Sequence, residues 1–230
     1  MTTRTRTKFL KQLDDMQSLL DRLGDKAAAD TRAAGLAAAG DHGAETGILE
    51  GRKAAERLRG QIEGLCLDIM LMQQPLVGED LRFVSASFRI VSDLAQVDSM
   101  TRDVAFIFSE MGEGVRDGLG ERFTSMAEHA AVMVERAVAA FCDSDEAAAK
   151  AVIDADDELD AAYAQVEARV VELIRSGEPS PASLPELLMV AKYFERIGDK
   201  AQHVADWTFF RTRGERMLTP GGHVISGEEA

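Results

Sequence analysis

Residues 83–108 read FVSASFRIVSDLAQVDSMTRDVAFIF, and the spacing of their apolar and small side chains predicts the fold. Steps of three or four residues separate the members of one stripe, which is the period of a single face of an α-helix. The stripe consists of Phe83, Ser87, Ile90, Leu94, Val97, Thr101, Val104 and Phe108. About seven unbroken turns predict one long helix that buries this face against other helices.

The same pattern returns 100 residues later in the chain. The matched pairs are Phe83 with Ser183, Ile90 with Val190, Leu94 with Phe194, Val97 with Ile197 and Val104 with Val204. The helix before each copy repeats at an offset of 104, with Leu58 matching Ala162, Ile62 matching Val166 and Ile69 matching Leu173. The chain is therefore predicted to be all-α, built as two tandem antiparallel three-helix bundles related by an internal repeat.

Breaks between the stripes place six helices and their boundaries. The first stripe runs from Phe9 to Leu23 and is expected to end at Gly24, and the Ala- and Gly-rich stretch 27–47 is expected to contain a flexible loop over 35–47. Ser144 or Asp145 should cap the fifth helix, and Ser183 should cap the sixth. These breaks predict a first bundle over 1–112, a second over 113–216 and a disordered tail over 217–230.

Composition limits the classes of function. The chain has 26 basic and 40 acidic residues, and its net charge of -14 argues against nucleic acid as the main partner. The basic N-terminus lacks the apolar stretch of a secretory signal, and no run of about 18 apolar residues predicts a membrane span, so a cytoplasmic location is expected. Cys66 and Cys142 lie in apolar helical patterns and are expected to be buried and reduced.

Two predicted helices of the second bundle carry acidic residues beside or within their apolar stripes. Asp156 occupies a stripe position of the fifth helix, and Asp160 follows one turn later. The flank of the sixth-helix stripe carries Glu195, Asp199, His203 and Asp206. A carboxylate on a packed seam is costly unless it meets a cation, a basic side chain or water.

A short loop joins the fifth and sixth helices, so they should pack antiparallel and bring the two acid pairs to one level. Oxygen ligands with a histidine suit iron, manganese, zinc or magnesium. The candidate metal ligands are Glu195, Asp199, Asp156, Asp160 and His203. The alternative is a solvated acidic face whose charges pair with Lys192, Arg196 and Lys200.

The segment FERIGDKAQHVADW, residues 194–207, resembles the signature LERIGDHAxNIAEW of the PhoU family. Residues 66–107, which include QQP and DLR, resemble the first-half signature of that family, and residues 154–174 resemble its fifth helix. The likeness extends from the first helix to about Glu215. On this resemblance Glu195 and Asp199 correspond to the acids of the family motif, and Asp156 and Asp160 to the acidic start of the facing helix.

The resemblance implies a function as well as a fold of two similar three-helix bundles. PhoU proteins are cytoplasmic negative regulators that couple a phosphate ABC transporter to a sensor histidine kinase and repress phosphate-starvation signalling when phosphate is plentiful. Many dimerise, they reach the membrane only through their partners, and some bind iron or zinc clusters. The resemblance thus implies a non-enzymatic regulator of phosphate uptake.

The first half departs from the family pattern at its metal site. Ala95 and Ser99 stand at the positions of the motif acids, and Arg52 and Glu56 align with Asp156 and Asp160. Asp103 aligns with His203. An arginine in place of a carboxylate repels a cation, so the first-half site, reduced to Asp103 and Glu56, is expected to be lost or weak.

Three classes of function therefore remain open. The chain is a regulator that acts through protein contacts, a divalent-cation handling protein, or a di-metal carboxylate enzyme of the ferritin-like kind. The enzyme reading is disfavoured because no Glu-x-x-His pair stands at a suitable core position. No Gly-rich phosphate loop, nucleophile elbow or paired-cysteine site appears. The departures in the first half leave room for a diverged paralogue with another signalling partner.

Overall fold

The computed structural model describes residues 3–111, 119–176 and 184–218. Six α-helices make up almost all of them. They are α1 (Thr3–Ala38), α2 (His42–Met72), α3 (Gly78–Met111), α4 (Leu119–Asp143), α5 (Glu146–Ser176) and α6 (Leu184–Arg213). The all-α prediction is confirmed.

Local sequence signals set several helix ends. Asp41 caps α2, because its Oδ1 accepts hydrogen bonds from the backbone N–H groups of Gly43 and Ala44. Asp145 caps α5 in the same way, and it was one of the two predicted caps. After α6, Gly214 adopts a positive φ of 86°, a left-handed conformation that favours glycine and turns the chain back on the helix.

The helices pack as two bundles that meet through like helices. Helices α1, α2 and α3 contact one another, as do α4, α5 and α6. Between the bundles, α1 packs on α4 and α3 packs on α6. One hydrophobic cluster runs through all six helices, so the two bundles share a core.

The repeat found in the sequence is confirmed by burial. All eight members of the α3 stripe are buried. Their partners Val190, Phe194, Ile197 and Val204 in α6 are also buried, with at most 1% of each side chain exposed. The stripe therefore marks the faces of α3 and α6 that form the shared core.

The Ala-rich segment corrects the sequence prediction. Helix α1 does not end at Gly24 but continues to Ala38, and only Ala39–Asp41 separate it from α2. The alanines are themselves core residues, because Ala27, Ala28, Ala34 and Ala38 are buried. Alanine has the highest helix propensity, and its small side chain lets two helices approach closely.

Close approach of α1 to α4 explains two glycines of α1. A Cβ atom added at Gly35 would lie 2.5 Å from the Ala127 Cβ and 3.2 Å from the Thr124 Cα, which is backbone of α4. A Cβ added at Gly24 would lie 2.9 Å from a methyl group of Val138. The glycines thus permit helix contact where the sequence suggested a helix end and a loop.

The other sequence predictions can be compared with the structure only where they fall on described residues. Cys66 and Cys142 are buried and free, and burial raises the pKa of the Cys66 thiol to about 12. None of the described helices has an apolar stretch long enough to cross a bilayer. The predicted cap Ser183 and residues 219–230 of the predicted tail lie outside the described residues. The first two residues of that tail contradict the prediction of disorder, because Leu218 is buried in the core cluster and Met217 packs against it.

Candidate functional site

Four predicted ligands lie together where α5 packs on α6. Asp156 and Asp160 are on α5, and Glu195 and Asp199 are on α6. The negative charges of Asp199, Asp160 and Glu195 all act on the pKa of Asp156, so the two acid pairs stand at one level as the antiparallel packing predicted. We refer to these four residues as the acidic cluster.

Gly198 allows the acidic cluster to form. A Cβ atom at this position would lie 2.9 Å from the Asp156 Oδ1 and 2.5 Å from a methyl group of Leu159. The carboxylate of Asp156 therefore rests against the bare backbone of α6, in the space that a side chain would fill. The glycine of the ERIGD segment is explained by this contact.

Asp156 is a buried acid with an unused oxygen. Only 7% of the residue is exposed, and its Oδ1 accepts no hydrogen bond from any described residue. Burial, together with the negative charges of Asp199 and Asp160, raises the pKa of its carboxyl from the ordinary 3.8 to about 7. Near neutral pH the carboxyl is therefore partly protonated.

Glu195 is the second buried acid of the cluster. It is 8% exposed, and its Oε2 accepts no hydrogen bond within the described part of the chain. Its Oε1 accepts a hydrogen bond of 2.5 Å from the Lys192 ammonium, which also stands over the Tyr163 ring. Burial raises the pKa of Glu195, and the hydrogen bond from Lys192 opposes that rise.

The acidic cluster contains two buried carboxylate oxygens of the kind that bind cations. Asp156 and Glu195 each present a buried oxygen that lacks a donor, and carboxylates are the ligands preferred by hard cations. As the side chains stand, no three His, Cys, Asp or Glu groups among the described residues are arranged to hold a metal ion. The partly buried Asp199 and the exposed Asp160 are the groups that would complete the ligand set.

Lys192 forms an ion pair with Glu195, one of the two buried acids. The sequence predicted such a pairing only on a solvated acidic face. A metal ion at Glu195 would compete with this ion pair. Glu195 is thus paired with a lysine, whereas Asp156 forms no ion pair with any described residue.

His203 lies apart from Asp156 in its surroundings. It lines a groove of about 420 Å³ between α3 and α6, in which four of the lining residues come from the other bundle. Burial lowers the pKa of the imidazole, and the charge of Asp93 opposes that effect. The charge of Asp199 acts on the pKa of both His203 and Asp156, so this member of the acidic cluster is the one that also influences the groove.

The groove collects polar side chains from distant parts of the sequence. Helix α3 contributes Arg89, Ser92, Asp93 and Gln96. The opposite wall consists of His203, Trp207 and Arg216. Arg89 and Arg216 are far apart in the sequence, so neither could be recognised as part of one site before the fold was known.

Asp206, which flanks the sixth-helix stripe, has a structural role. It is fully buried, its Oδ1 accepts hydrogen bonds from the backbone N–H groups of Met217 and Leu218, and its Oδ2 accepts one from Arg216. These bonds fasten the segment after α6 onto the helix. Both oxygens of this carboxylate therefore already accept hydrogen bonds within the protein.

Asp206→Ala should lower the free energy of unfolding by about 1–3 kcal/mol, because Arg216 and two backbone donors lose their acceptor. Urea unfolding of the variant measures the loss. Asp154→Ala is the matched control, since Asp154 is an exposed acid paired only with Lys150, and its removal should cost less than about 1 kcal/mol. Equal losses in the two variants would contradict the anchoring role.

The first bundle lacks an acidic cluster at the aligned positions. Arg52 and Glu56 are exposed and form an ion pair of 3.6 Å with each other. Ala95 and Ser99 supply no carboxylate, and Asp103 is exposed. Asp103 instead acts on the pKa of the Tyr193 hydroxyl, which burial raises.

A lysine stands close to the aligned site of the first bundle. The Lys26 ammonium pairs with Asp30 at 2.7 Å and lies 2.8 Å from where a Cβ on Gly51 would be. Gly51 is next to Arg52, so the residue that corresponds to Asp156 is itself basic and a lysine reaches the residue before it. The asymmetry between the bundles is therefore one of charge as well as of missing ligands.

Comparison with known proteins points to one family. Residues 123–208 match the family model of the PhoU domain, which covers the acidic cluster. The chain is 25% identical over 216 residues to a phosphate-specific transport system accessory protein PhoU homolog of Clostridium acetobutylicum, covering 93% of this chain and 98% of the relative. A homolog from Methanothermobacter thermautotrophicus is 24% identical and covers 92% of this chain and 97% of its own length.

Solved structures show the same fold along nearly the whole chain. PhoU from Streptococcus pneumoniae superposes with a TM-score of 0.82 at 21% identity, covering 92% of this chain and all of that protein. PhoU from Pseudomonas aeruginosa superposes with a TM-score of 0.78 at 22% identity, covering 91% of this chain and 99% of its own. The chain thus matches the PhoU domain model over 123–208, is similar to PhoU homologs along nearly its whole length, and shares the fold of solved PhoU structures.

Proposed function

We propose that the protein is a non-enzymatic negative regulator of phosphate uptake. The observation that carries the proposal is the similarity over 93% of the chain to a protein named as an accessory of the phosphate-specific transport system. The finer part of the proposal is that it couples a phosphate ABC transporter to a sensor histidine kinase and represses starvation signalling when phosphate is plentiful. The α-helical fold supports this role as a scaffold for protein contacts.

The proposed mode of action is binding rather than catalysis. A net charge of -14 favours a basic surface on a protein partner and disfavours nucleic acid. We place the protein in the cytoplasm, as a homodimer that meets the membrane only through its partners. Exposed apolar side chains where α2 gives way to α3, among them Leu71, Met72 and Val77, supply contact area for such partners.

Deleting the gene should raise alkaline phosphatase activity and phosphate uptake several-fold in phosphate-rich medium, because repression is lost. Supplying the wild-type chain from a plasmid should restore both to the parental level. Unchanged phosphatase and uptake in the deletion strain would contradict the proposal and point to a diverged paralogue with another signalling partner.

The second candidate function is divalent-cation handling at the acidic cluster. It is favoured by the two buried oxygens, Asp156 Oδ1 and Glu195 Oε2, that lack a donor among the described residues. Asp156, Glu195, Asp199 and Asp160 would hold iron, zinc, manganese or magnesium, and such a cation would neutralise their mutual repulsion. On this reading the first bundle binds none, because Arg52 and Lys26 stand near the aligned positions.

Metal analysis of purified protein after equilibration with each cation tests the cluster. We expect wild-type protein to retain metal, Asp199→Ala and Asp156→Asn to lose most of it, and Asp154→Asn to behave as wild type because that acid is paired at the surface. Absence of metal in the wild type, or equal metal in Asp199→Ala, would contradict the site. Neither result depends on whether the chain regulates phosphate uptake.

A further inference from the structure

We propose that the groove between α3 and α6 binds a phosphate group, either as free inorganic phosphate or as the phosphate of a larger molecule. The inference rests on the proposed function, because it names the ligand that a regulator of phosphate uptake would sense. It does not involve the acidic cluster, because none of the four cluster residues lines the groove.

The charge balance of the groove is the first observation. Asp93 forms an ion pair of 3.3 Å with the Lys200 ammonium, and Asp206 behind the groove forms one with Arg216. Arg89 is exposed and forms no ion pair or hydrogen bond within the described part of the chain. In a protein of net charge -14, the groove therefore carries one guanidinium without an acid.

The donors that face the groove match an oxyanion. Arg89 offers a planar fork of N–H groups, which binds two phosphate oxygens at once. Arg216 uses its Nε–H on Asp206, which leaves its terminal amino groups for a second contact. Ser92 and His203 add a hydroxyl and an imidazole on opposite walls.

The second arginine is held in place before a ligand arrives. The guanidinium of Arg216 lies 4.2 Å from the centroid of the Trp207 ring and pairs with a fully buried carboxylate. The next two residues are fastened to the same carboxylate by their backbone N–H groups. An arginine that is already ordered loses less entropy on binding, which favours affinity.

The size of the groove leaves both phosphate sources open. At about 420 Å³ it falls in the range of small-molecule sites, and it exceeds what one phosphate ion fills. The remaining space takes either water around a free ion or the body of a phosphorylated metabolite. The experiment below separates the two.

Trp207 is the single tryptophan of the chain and lines the groove, so its fluorescence reports directly on binding. The purified full-length chain is titrated with inorganic phosphate and, in a second arm, with glycerol 3-phosphate, and calorimetry gives the dissociation constants. Arg89→Gln should weaken binding at least about tenfold, because a charged bidentate contact is lost. Arg57→Gln, an exposed arginine on α2, is the matched control and should bind as wild type.

Each outcome decides the proposal. Arg89-dependent binding of inorganic phosphate supports it and identifies the free ion, and Arg89-dependent binding of the ester alone supports it and identifies a phosphorylated molecule. No binding in either arm, equal affinity in Arg89→Gln and Arg57→Gln, or loss of binding in Asp156→Asn would overturn it. If the gene deletion derepresses phosphate uptake but the groove binds neither phosphate compound, the regulatory function is supported and the phosphate site in the groove is refuted.

Discussion

Gly35→Leu should lower the free energy of unfolding by about 3 kcal/mol. The added Cβ alone would come within 2.5 Å of Ala127 and 3.2 Å of the α4 backbone at Thr124. Backbone cannot rotate aside as a side chain can, so α1 and α4 must separate and expose part of the shared core. Urea unfolding followed by circular dichroism measures the loss.

Gly64→Leu is the matched control for this prediction. Gly64 lies on the exposed face of α2, and a Cβ placed there meets nothing within 4 Å. Leucine is a better helix former than glycine, so this variant should gain about 0.5–1 kcal/mol. If both leucine variants changed stability by the same amount and sign, the contact between α1 and α4 would not be the cause.

Asp156→Asn should stabilise the metal-free protein at pH 8 and leave it almost unchanged at pH 4. The folded-state pKa of Asp156 is about 7 and the ordinary value is 3.8, so its carboxyl is protonated in the fold well after it would ionise in the unfolded chain. The resulting stability is fully present below pH 4 and is lost as the pH rises to 7. A rise of this size corresponds to up to about 4 kcal/mol.

Urea unfolding of both proteins between pH 4 and pH 8, in the presence of a chelator, tests the effect. The neutral amide cannot titrate, so the gap in unfolding free energy between variant and wild type should widen from pH 4 to about pH 7 and then level off. A divalent cation added at pH 8 should stabilise the wild type and not the variant if the acidic cluster binds it. A gap that stays constant from pH 4 to pH 8 would rule out an uncompensated charge at Asp156.

The fold was predictable where large apolar residues mark the core. The eight-residue stripe of α3 and its copy in α6 have a period that only a helix can present as one face, and both stripes are buried. Breaks at Pro75 and at Asp145 were visible for the same local reason, since proline and a capping acid act within a few residues. Such signals do not depend on the partner helix.

The extent of α1 could not be predicted in this way. A segment of alanine and glycine has no hydrophobic stripe of its own, and the packing of Gly24 and Gly35 depends on Val138 and Ala127, which are more than 90 residues away. Only the complementary surface of α4 turns these small residues into core. The sequence therefore predicted a loop where the structure has helix.

The candidate site divides along similar lines. Asp156 was recognisable because a carboxylate interrupted an apolar stripe, and its level relative to Glu195 followed from antiparallel packing. The environments of His203 and Asp206 could not be recognised in the sequence. His203 faces α3 of the other bundle, and Asp206 binds the segment that follows α6. Metal binding by the cluster remains a prediction that the proposed analysis will test.

The contact of α1 with α4 and of α3 with α6 has a consequence for how such a chain arose. Two helices of each bundle meet their own counterparts, so the surface between the bundles has the self-complementary arrangement of a symmetric dimer. A three-helix unit with this surface would bury it by pairing with an identical copy. Joining two such copies in one chain would allow one bundle to lose its acids while the other keeps them, and Arg52 and Ala95 in the first bundle fit such a loss.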